Sequence, residues 1–408
     1  MDVKIIPSAL SGVIAPPPSK SMAHRLIITA ALGSGTSTIG NVAFSQDIEA
    51  TLRCMEALGA RWEQTDNGSI RVHGIGKPAD APEQLPHFDC GESGSTLRFL
   101  IPIALAVSGG GVFTGRGRLM ERPQKPYFDL FDEKDIFHQQ IDSVLTVRGK
   151  LTPGEYRLPG NVSSQFFTGL LLALSLLDAP STIVSTTALE SADYIYMTID
   201  AMENAGVSVT VDHDRHTFHV TPAAYRSFDA TVESDWSQAG FWYAANFLDS
   251  QLDIQGLNPR SSQGDMVVSE LYWQLARPGD TEIDLSGCPD LLPPLAVMAA
   301  VRNGTTRFVN AARLRIKESD RLATVHQLLT ALGGSSEELP DGLTVQGVPK
   351  LSGGTVDGAN DHRIVMAAAI AATACQSPVT ILGAQAIQKS YPSFWEEYQR
   401  LGGNVHVL

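Results

Sequence analysis

The sequence predicts an α/β fold assembled from repeated units in two domains, on three observations. With 408 residues the chain exceeds what one hydrophobic core usually spans. A unit of helix, glycine, strand, polar turn and return strand recurs along it. Its long apolar runs, residues 97–107 and 364–375, fall short of the roughly 20 residues a membrane span needs and read as buried helices.

The repeat is recognised by a glycine that ends each helix. Ala57-Leu58-Gly59-Ala60 leads through the turn Asp66-Asn67-Gly68 into Ser69–His73. Asn204-Ala205-Gly206-Val207 leads through Asp212–Arg215 into Thr217–Val220, and Ala331-Leu332-Gly333-Gly334 through Pro340–Gly342 into Leu343–Gln346. The pattern begins once more at Leu401-Gly402-Gly403. Between Phe128 and Val147 the unit is expected to be shortened, because no Leu-Gly step precedes Ile141–Val144. Crossings between domains are expected at Pro16–Pro18 and near Thr231–Glu233.

Hydrophobic residues make up 43% and charged ones 18%, ordinary for a globular chain and unlike disorder. A net charge of −14, unrelieved by any basic run, argues against nucleic acid or an anionic membrane as partner. Any anion must then be held by a local cluster. The N-terminal segment lacks a signal-peptide core, and Cys54, Cys90, Cys288 and Cys375 form no CxxC pair, so a cytoplasmic protein is expected.

Local clusters of that kind do occur. In Pro16–Arg25 a rigid proline segment runs into a helix that starts with Lys20 and carries Ser21 and Arg25 on one face. Such a start binds anions, although a capped surface helix would read the same way. Gly91–Arg98 repeats the design with a small-residue loop before an apolar helix, and Ser163-Ser164-Gln165 opens another. In the second half, Arg315–Arg321 places Lys317, Glu318 and Arg321 at a helix start, and Asp361-His362-Arg363 precedes the apolar run 364–375. Ordinary caps and solvated ion pairs would explain any one of these.

Their recurrence in an acidic chain is what points to anion chemistry. Lys20, Arg25, Arg98, Arg122, Lys317, Arg321, Arg363 and Lys389 all sit in or beside motif loops and helix starts. That charge suits a phosphate and a carboxylate. His213, His216 and His219 recur at intervals of three but flank a turn between strands, where such spacing points side chains to opposite faces, so no metal site is expected. No P-loop, dinucleotide or HExxH fingerprint is present.

Taken in order, Pro18–Arg25 (PSKSMAHR), Gly91–Arg98, Glu121–Pro123 (ERP), Ser163–Phe166 (SSQF), Ser262–Asp265 (SQGD), Lys317–Arg321 (KESDR) and Asn360–Arg363 (NDHR) resemble the motifs of the EPSP synthase family nearly end to end. The resemblance implies an inside-out α/β barrel in each of two domains, each of three βαβαββ repeats about a pseudo-threefold axis. The N-terminal strand then belongs with the C-terminal half, giving a discontinuous domain of residues 1–17 plus 231–408 and an inserted domain of 18–230. The active site is expected in the cleft between them.

The resemblance also implies the reaction: transfer of the enolpyruvyl group of phosphoenolpyruvate to the 5-hydroxyl of shikimate-3-phosphate. It places shikimate-3-phosphate on Ser21, Arg25, Ser163, Ser164, Ser191 and Tyr194, with Lys20 near both substrates and Gln165 beside the ring. Phosphoenolpyruvate falls to Lys20, Gly94, Arg122, Arg321, Arg363 and Lys389. Asp290 and Lys317 are expected on the shikimate hydroxyls and Glu318 near the methylene, with Lys20, Asp290 and Glu318 as the acid/base set. No metal or organic cofactor is implied, and a monomer is the family expectation.

Three positions depart from the family pattern: Glu92 and Arg313, where many relatives carry Asn, and Ser95, where many carry Thr. Glu92 is expected to pair with Arg98 or a neighbouring cation. A sister family that uses UDP-N-acetylglucosamine has Lys-Asn in place of Lys20-Ser21 and a reactive cysteine in the loop that is Gly115–Pro123 here, which has none.

Overall fold

The structure is a computed structural model that describes residues 1–65, 68–76 and 84–408; Asp66 and Asn67 of the first expected turn lie outside the described residues. The chain divides into two compact units, Pro18–Glu233 and Met1–Pro17 with Ser234–Leu408. The second crossing follows Glu233.

In the unit Pro18–Glu233, three four-stranded sheets share one topology. His87–Asp89 runs parallel to Gly110–Thr114, which pairs antiparallel with Val144–Arg148, itself antiparallel to Phe137–Ile141. Glu155–Leu158, Ser181–Ser185, Thr217–Val220 and Val209–Val211 repeat this order. So do Asp229–Thr231, Thr36–Gly40, Ile70–His73 and Arg61–Gln64, the first strand here coming from the end of the unit.

The expected shortening at residues 128–147 is not found. Helix Lys125–Glu133 is followed by a complete hairpin, Phe137–Ile141 with Val144–Arg148. Asp135, at φ +53°, makes the left-handed step that Gly206 (φ +79°) and Gly333 (φ +77°) make elsewhere. Aspartate is among the few residues other than glycine that tolerate this conformation, so the step is present without its usual sequence sign.

The other unit repeats the topology with Thr281–Asp284, Thr305–Val309, Gly342–Gln346 and Ser335–Leu339. In its second sheet, Val3–Ile6 lies between Val379–Leu382 and Asn404–Val407, so the N-terminal strand is held by the C-terminal segment. The reduced sheet is here: among the described residues Ser11–Ile14 pairs only with Gln251–Ile254.

Strands alternate buried and exposed residues, as in Val3–Ile6 and Glu155–Leu158, so one face of each sheet meets solvent. Helices Gly94–Ser108, Ser164–Leu174, Leu292–Ala299 and His362–Ala372 are buried nearly all round, which their apolar sequences allow. Trp236–Phe247, Leu292–Ala299 and His362–Ala372 pack on one another in the core of the second unit. Helices within and sheets without is the inside-out arrangement.

Many of these helices start on a capping side chain. Ser19, Ser93, Ser163, Asp320 and Asp361 each accept a hydrogen bond from a backbone N–H of the first turn. The cap fixes where the helix begins, and hence where its first cations stand.

Candidate active site

Two polar clusters form, one in each unit, and both gather at helix starts. In Pro18–Glu233 the centre is Arg25, only 2% exposed. Its Nε donates to Thr198 Oγ1 at 2.9 Å, Nη1 to the Ser21 carbonyl at 2.7 Å and Nη2 to the Tyr194 carbonyl at 2.8 Å. Its guanidinium also lies 5.2 Å from the Phe99 ring centroid and 5.8 Å from that of Tyr194. Burial pulls its pKa down to about 10, still fully cationic at neutral pH. The expected phosphate ligand is thus also a strut that ties the Ser21 turn to the start of helix Ala192–Asn204.

That helix begins at Ser191, which is 3% exposed and held at φ +52°. A non-glycine residue in this region carries strain that surrounding contacts must sustain. Lys20 lies 2.6 Å from Asp47, an ion pair mostly out of solvent. His24, buried beside it, is kept neutral: burial and then Lys20 and Arg25 hold its pKa well below the usual value. From His24 Nδ1 a line of hydroxyls runs through Thr51 (2.7 Å), Thr96 (2.7 Å) and Ser93 (2.7 Å), joining the Lys20 helix to the loop before Gly94.

Gln165 is fixed at both ends of its amide. Arg98 Nη1 donates to its Oε1 at 2.9 Å, and its Nε2 donates to Ser95 Oγ at 3.0 Å. Arg98 also donates to the Pro123 carbonyl at 3.1 Å and stacks 4.8 Å from the Phe166 ring centroid. Burial, then Arg122, lowers its pKa to about 9. Arg122 lies directly over Gly94, where a Cβ would meet its Nη1. The donors of Arg98 go to Gln165, Ser163 and Pro123, and the Glu92 carboxylate lies against Gly117.

In the second unit the centre is Asp290, in the turn Pro289–Leu291. Arg321 Nη1 stands 2.8 Å and Lys317 Nζ 3.5 Å from its Oδ1, and Arg363 Nη2 3.2 Å from its Oδ2. Burial would raise this carboxyl, but Arg363, Lys317 and Arg321 together hold it well below the usual range. Arg321 Nε also reaches Asp361 Oδ2 at 2.8 Å, and Asp361 caps helix His362–Ala372 through the Arg363 N–H at 2.9 Å. Glu318 Oε2 pairs with His362 Nδ1 at 2.8 Å, and Lys389 Nζ donates to the Asn360 carbonyl at 2.5 Å.

The structure therefore brings Asp290, Lys317, Glu318, Arg321, Arg363 and Lys389 together, and separately Lys20, Ser21, Arg25, Gly94, Arg122, Ser163, Ser164, Gln165, Ser191 and Tyr194 around linked helix starts. Sequence reasoning gave Asp361 a cap's role only and did not single out His362, nor Thr168 and Thr198, whose hydroxyls lie 2.8 Å apart and both accept from Arg25. The NDHR string held the signal for the first two; nothing in the sequence marks the hydroxyl pair. Glu318, Asp361 and His362 offer ligand atoms within 4.8 Å of one another, but Arg321 already places its charge there, which disfavours a metal cation. His219 Nε2 pairs with Asp212 at 3.1 Å.

The fold is that of the enolpyruvyl transferases. A solved EPSP synthase from Acinetobacter baumannii superposes with a TM-score of 0.80 over 99% of both chains at 23% identity, and the enolpyruvyl transferase NikO from Streptomyces tendae with 0.76 over 99% of this chain and 98% of that one at 16%. The profile of the EPSP synthase (3-phosphoshikimate 1-carboxyvinyltransferase) family matches residues 5–398. Relatives named 3-phosphoshikimate 1-carboxyvinyltransferase from Clostridium acetobutylicum and Clostridium novyi are each 43% identical over 99% of this chain and 98% of their own length. The chain belongs to the EPSP synthase family.

Proposed function

We propose that this chain transfers the enolpyruvyl group of phosphoenolpyruvate to the 5-hydroxyl of shikimate-3-phosphate, releasing phosphate, as a step of the shikimate pathway. The observation that carries the reading is the arrangement about Asp290: three cations bound to one carboxylate, with Glu318 beside them. Cations so packed stabilise an incoming phosphate and carboxylate and the charge that moves between them.

In this reading Arg122, Arg321, Arg363, Lys389, Lys20 and the Gly94 loop take phosphoenolpyruvate. Ser21, Arg25, Ser163, Ser164, Gln165, Ser191 and Tyr194 take shikimate-3-phosphate, and Lys317 with Asp290 its hydroxyls. The 5-hydroxyl oxygen attacks C2 of phosphoenolpyruvate while C3 gains a proton. Loss of phosphate and of a C3 proton from the tetrahedral intermediate restores the double bond. Asp290 accepts the hydroxyl proton, and Glu318 or Lys20 serves the carbon. When the anionic substrate takes up Arg321 and Arg363, Asp290 loses the cations that depress its basicity, so binding itself prepares the base.

A monomeric cytoplasmic enzyme, with neither nucleic acid nor membrane as partner, fits the charge of −14. Among the described residues no helix is long and apolar enough to cross a membrane. The test is phosphate release from purified protein given phosphoenolpyruvate with either shikimate-3-phosphate or UDP-N-acetylglucosamine. Release with the first alone is expected; release only with the nucleotide sugar overturns the substrate assignment, and release with neither overturns the activity.

A further inference from the structure

Helix Gln46–Ala57 carries none of the residues assigned to either substrate, yet it holds two segments that do. Asp47, Thr51 and Cys54 share one of its faces, at i, i+4 and i+7. Asp47 takes the Lys20 ammonium at 2.6 Å, and Thr51 lies between His24 and Thr96, 2.7 Å from each. Cys54 Sγ donates to the Asp89 carbonyl at 3.4 Å, and Asp89 Oδ1 accepts from the Gly91 N–H at 3.0 Å. A Cβ at Gly91 would stand 3.6 Å from that of Ala50, so the loop before Gly94 rests on this helix.

The direction of each proton between His24 and that loop follows from counting donors. Thr96 Oγ1 donates to Ser93 Oγ at 2.7 Å, which uses its only proton. Thr51 must then donate to Thr96, and His24 Nδ1 to Thr51. The imidazole is therefore the Nδ1–H tautomer, kept neutral by burial and then by Lys20 and Arg25. The other tautomer would leave the Thr51 and Thr96 oxygens 2.7 Å apart with no proton between them. It would also bury an N–H at Nε2, which has no partner among the described residues.

None of His24, Thr51, Thr96 and Ser93 is more than 1% exposed, so water does not compete for these bonds. Every donor in the line points toward Ser93, and bonds aligned in this way strengthen one another. Ser93 Oγ also accepts the Thr96 N–H at 3.2 Å, which caps helix Gly94–Ser108. The line thus ends on the atom that fixes where this helix begins, and its dipoles add to the positive end of the helix.

We propose that His24 and Thr51 are positioning residues for phosphoenolpyruvate, the imidazole acting as the Nδ1–H donor that orders a one-way line of hydroxyls onto the cap of the Gly94 helix. The proposal rests on the reading that the Gly94 loop receives that substrate. Neither residue touches a reacting atom. Cutting the line loosens the start of the helix and the seat of Arg122 above Gly94, so affinity for phosphoenolpyruvate falls while turnover at saturation changes little.

The test combines steady-state kinetics, shikimate-3-phosphate affinity by calorimetry and the nitrogen NMR spectrum of the His24 ring. Thr51→Val keeps the shape and removes the hydroxyl, and should raise KM for phosphoenolpyruvate about 10-fold, with kcat and shikimate-3-phosphate affinity nearly unchanged. Thr51→Ser should restore the low KM. His24→Asn offers an amide N–H near the place of Nδ1 and should also keep it, whereas His24→Gln, whose amide reaches the place of Nε2, should behave like Thr51→Val. The wild-type spectrum should show a neutral ring with its proton on Nδ1. A proton on Nε2, an unchanged KM in both Thr51→Val and His24→Gln, or equal losses for the two substrates overturns the proposal. Wild-type protein without turnover overturns the functional reading itself, whichever tautomer the spectrum shows.

Discussion

Arg321 Nε lies 2.8 Å from Asp361 Oδ2, with 2% of the arginine and none of the aspartate side chain exposed. A fully buried pair of this kind contributes modestly as a pair, but removing one member leaves the other charged in a low-dielectric interior. Arg321→Ala is expected to lower stability by about 3–5 kcal/mol, read by chemical denaturation.

The same pairing sets an acid limb. The Asp361 and Asp290 carboxyls, raised by burial but lowered more by their cations, ionise below the usual carboxylate range in the folded chain. Their contribution is present above the unfolded carboxylate pKa of about 4 and is lost as pH falls through the folded values. Arg321→Ala removes the main cause of that depression at Asp361 and part of it at Asp290, where Arg363 and Lys317 remain, so its stability should depend less steeply on pH below about 4. An unchanged slope would show that Arg321 is not what holds Asp361 ionised.

Asp290 holds Arg321 and Arg363, two of the arginines proposed to bind phosphoenolpyruvate, through its two oxygens. Asp290→Asn removes the proposed base while loosening that hold. The expected result is a fall in kcat of about 10²–10⁴-fold with KM for phosphoenolpyruvate unchanged or lower. A raised KM at unchanged kcat would make Asp290 a binding residue instead.

Glu318 and Arg25 should separate turnover from binding. Glu318→Gln keeps the shape of the Glu318–His362 contact but removes its charge, and should cut kcat at least 10²-fold while leaving shikimate-3-phosphate affinity intact. Arg25→Ala should weaken shikimate-3-phosphate binding and also destabilise its unit, because four protein acceptors lose a donor and a space opens beside Phe99. Equal losses of kcat in both variants with binding untouched would overturn the assignment of roles. Arg25→Lys separates the two parts of the second effect, since it keeps the charge and loses the fork.

The difference between what the sequence displayed and what it concealed follows from the range of the interactions. Gly206 and Gly333 advertise their helix ends because a local backbone conformation demands them. Asp135 makes the same step without the glycine, and so a complete unit read as a truncated one. The sheet that is truly reduced pairs Ser11–Ile14 with Gln251–Ile254, strands some 240 residues apart whose own sequences look ordinary. In the site, cations at helix starts were visible as motifs. The pairings were not: Arg321 with Asp361, Arg25 with Thr198 and Arg98 with Gln165 are all set by packing between distant segments.

Gly94 offers a test of the phosphoenolpyruvate assignment that spares the fold. Its φ lies outside the left-handed region and it is the first residue of helix Gly94–Ser108, so alanine suits the backbone and should cost no stability. The added Cβ meets Arg122 Nη1 and lies 3.6 Å from Gln165 Oε1, so the guanidinium must move. Gly94→Ala is expected to raise KM for phosphoenolpyruvate by about 10–100-fold, or roughly 1.4–2.7 kcal/mol, with shikimate-3-phosphate affinity nearly unchanged. The cause can be isolated in a double-mutant cycle with Arg122→Ala: if Gly94→Ala acts by displacing Arg122, it should do little more once that side chain is gone. Full additivity would place the effect elsewhere in the loop, and an unchanged KM in the single variant would remove Arg122 from the phosphoenolpyruvate site.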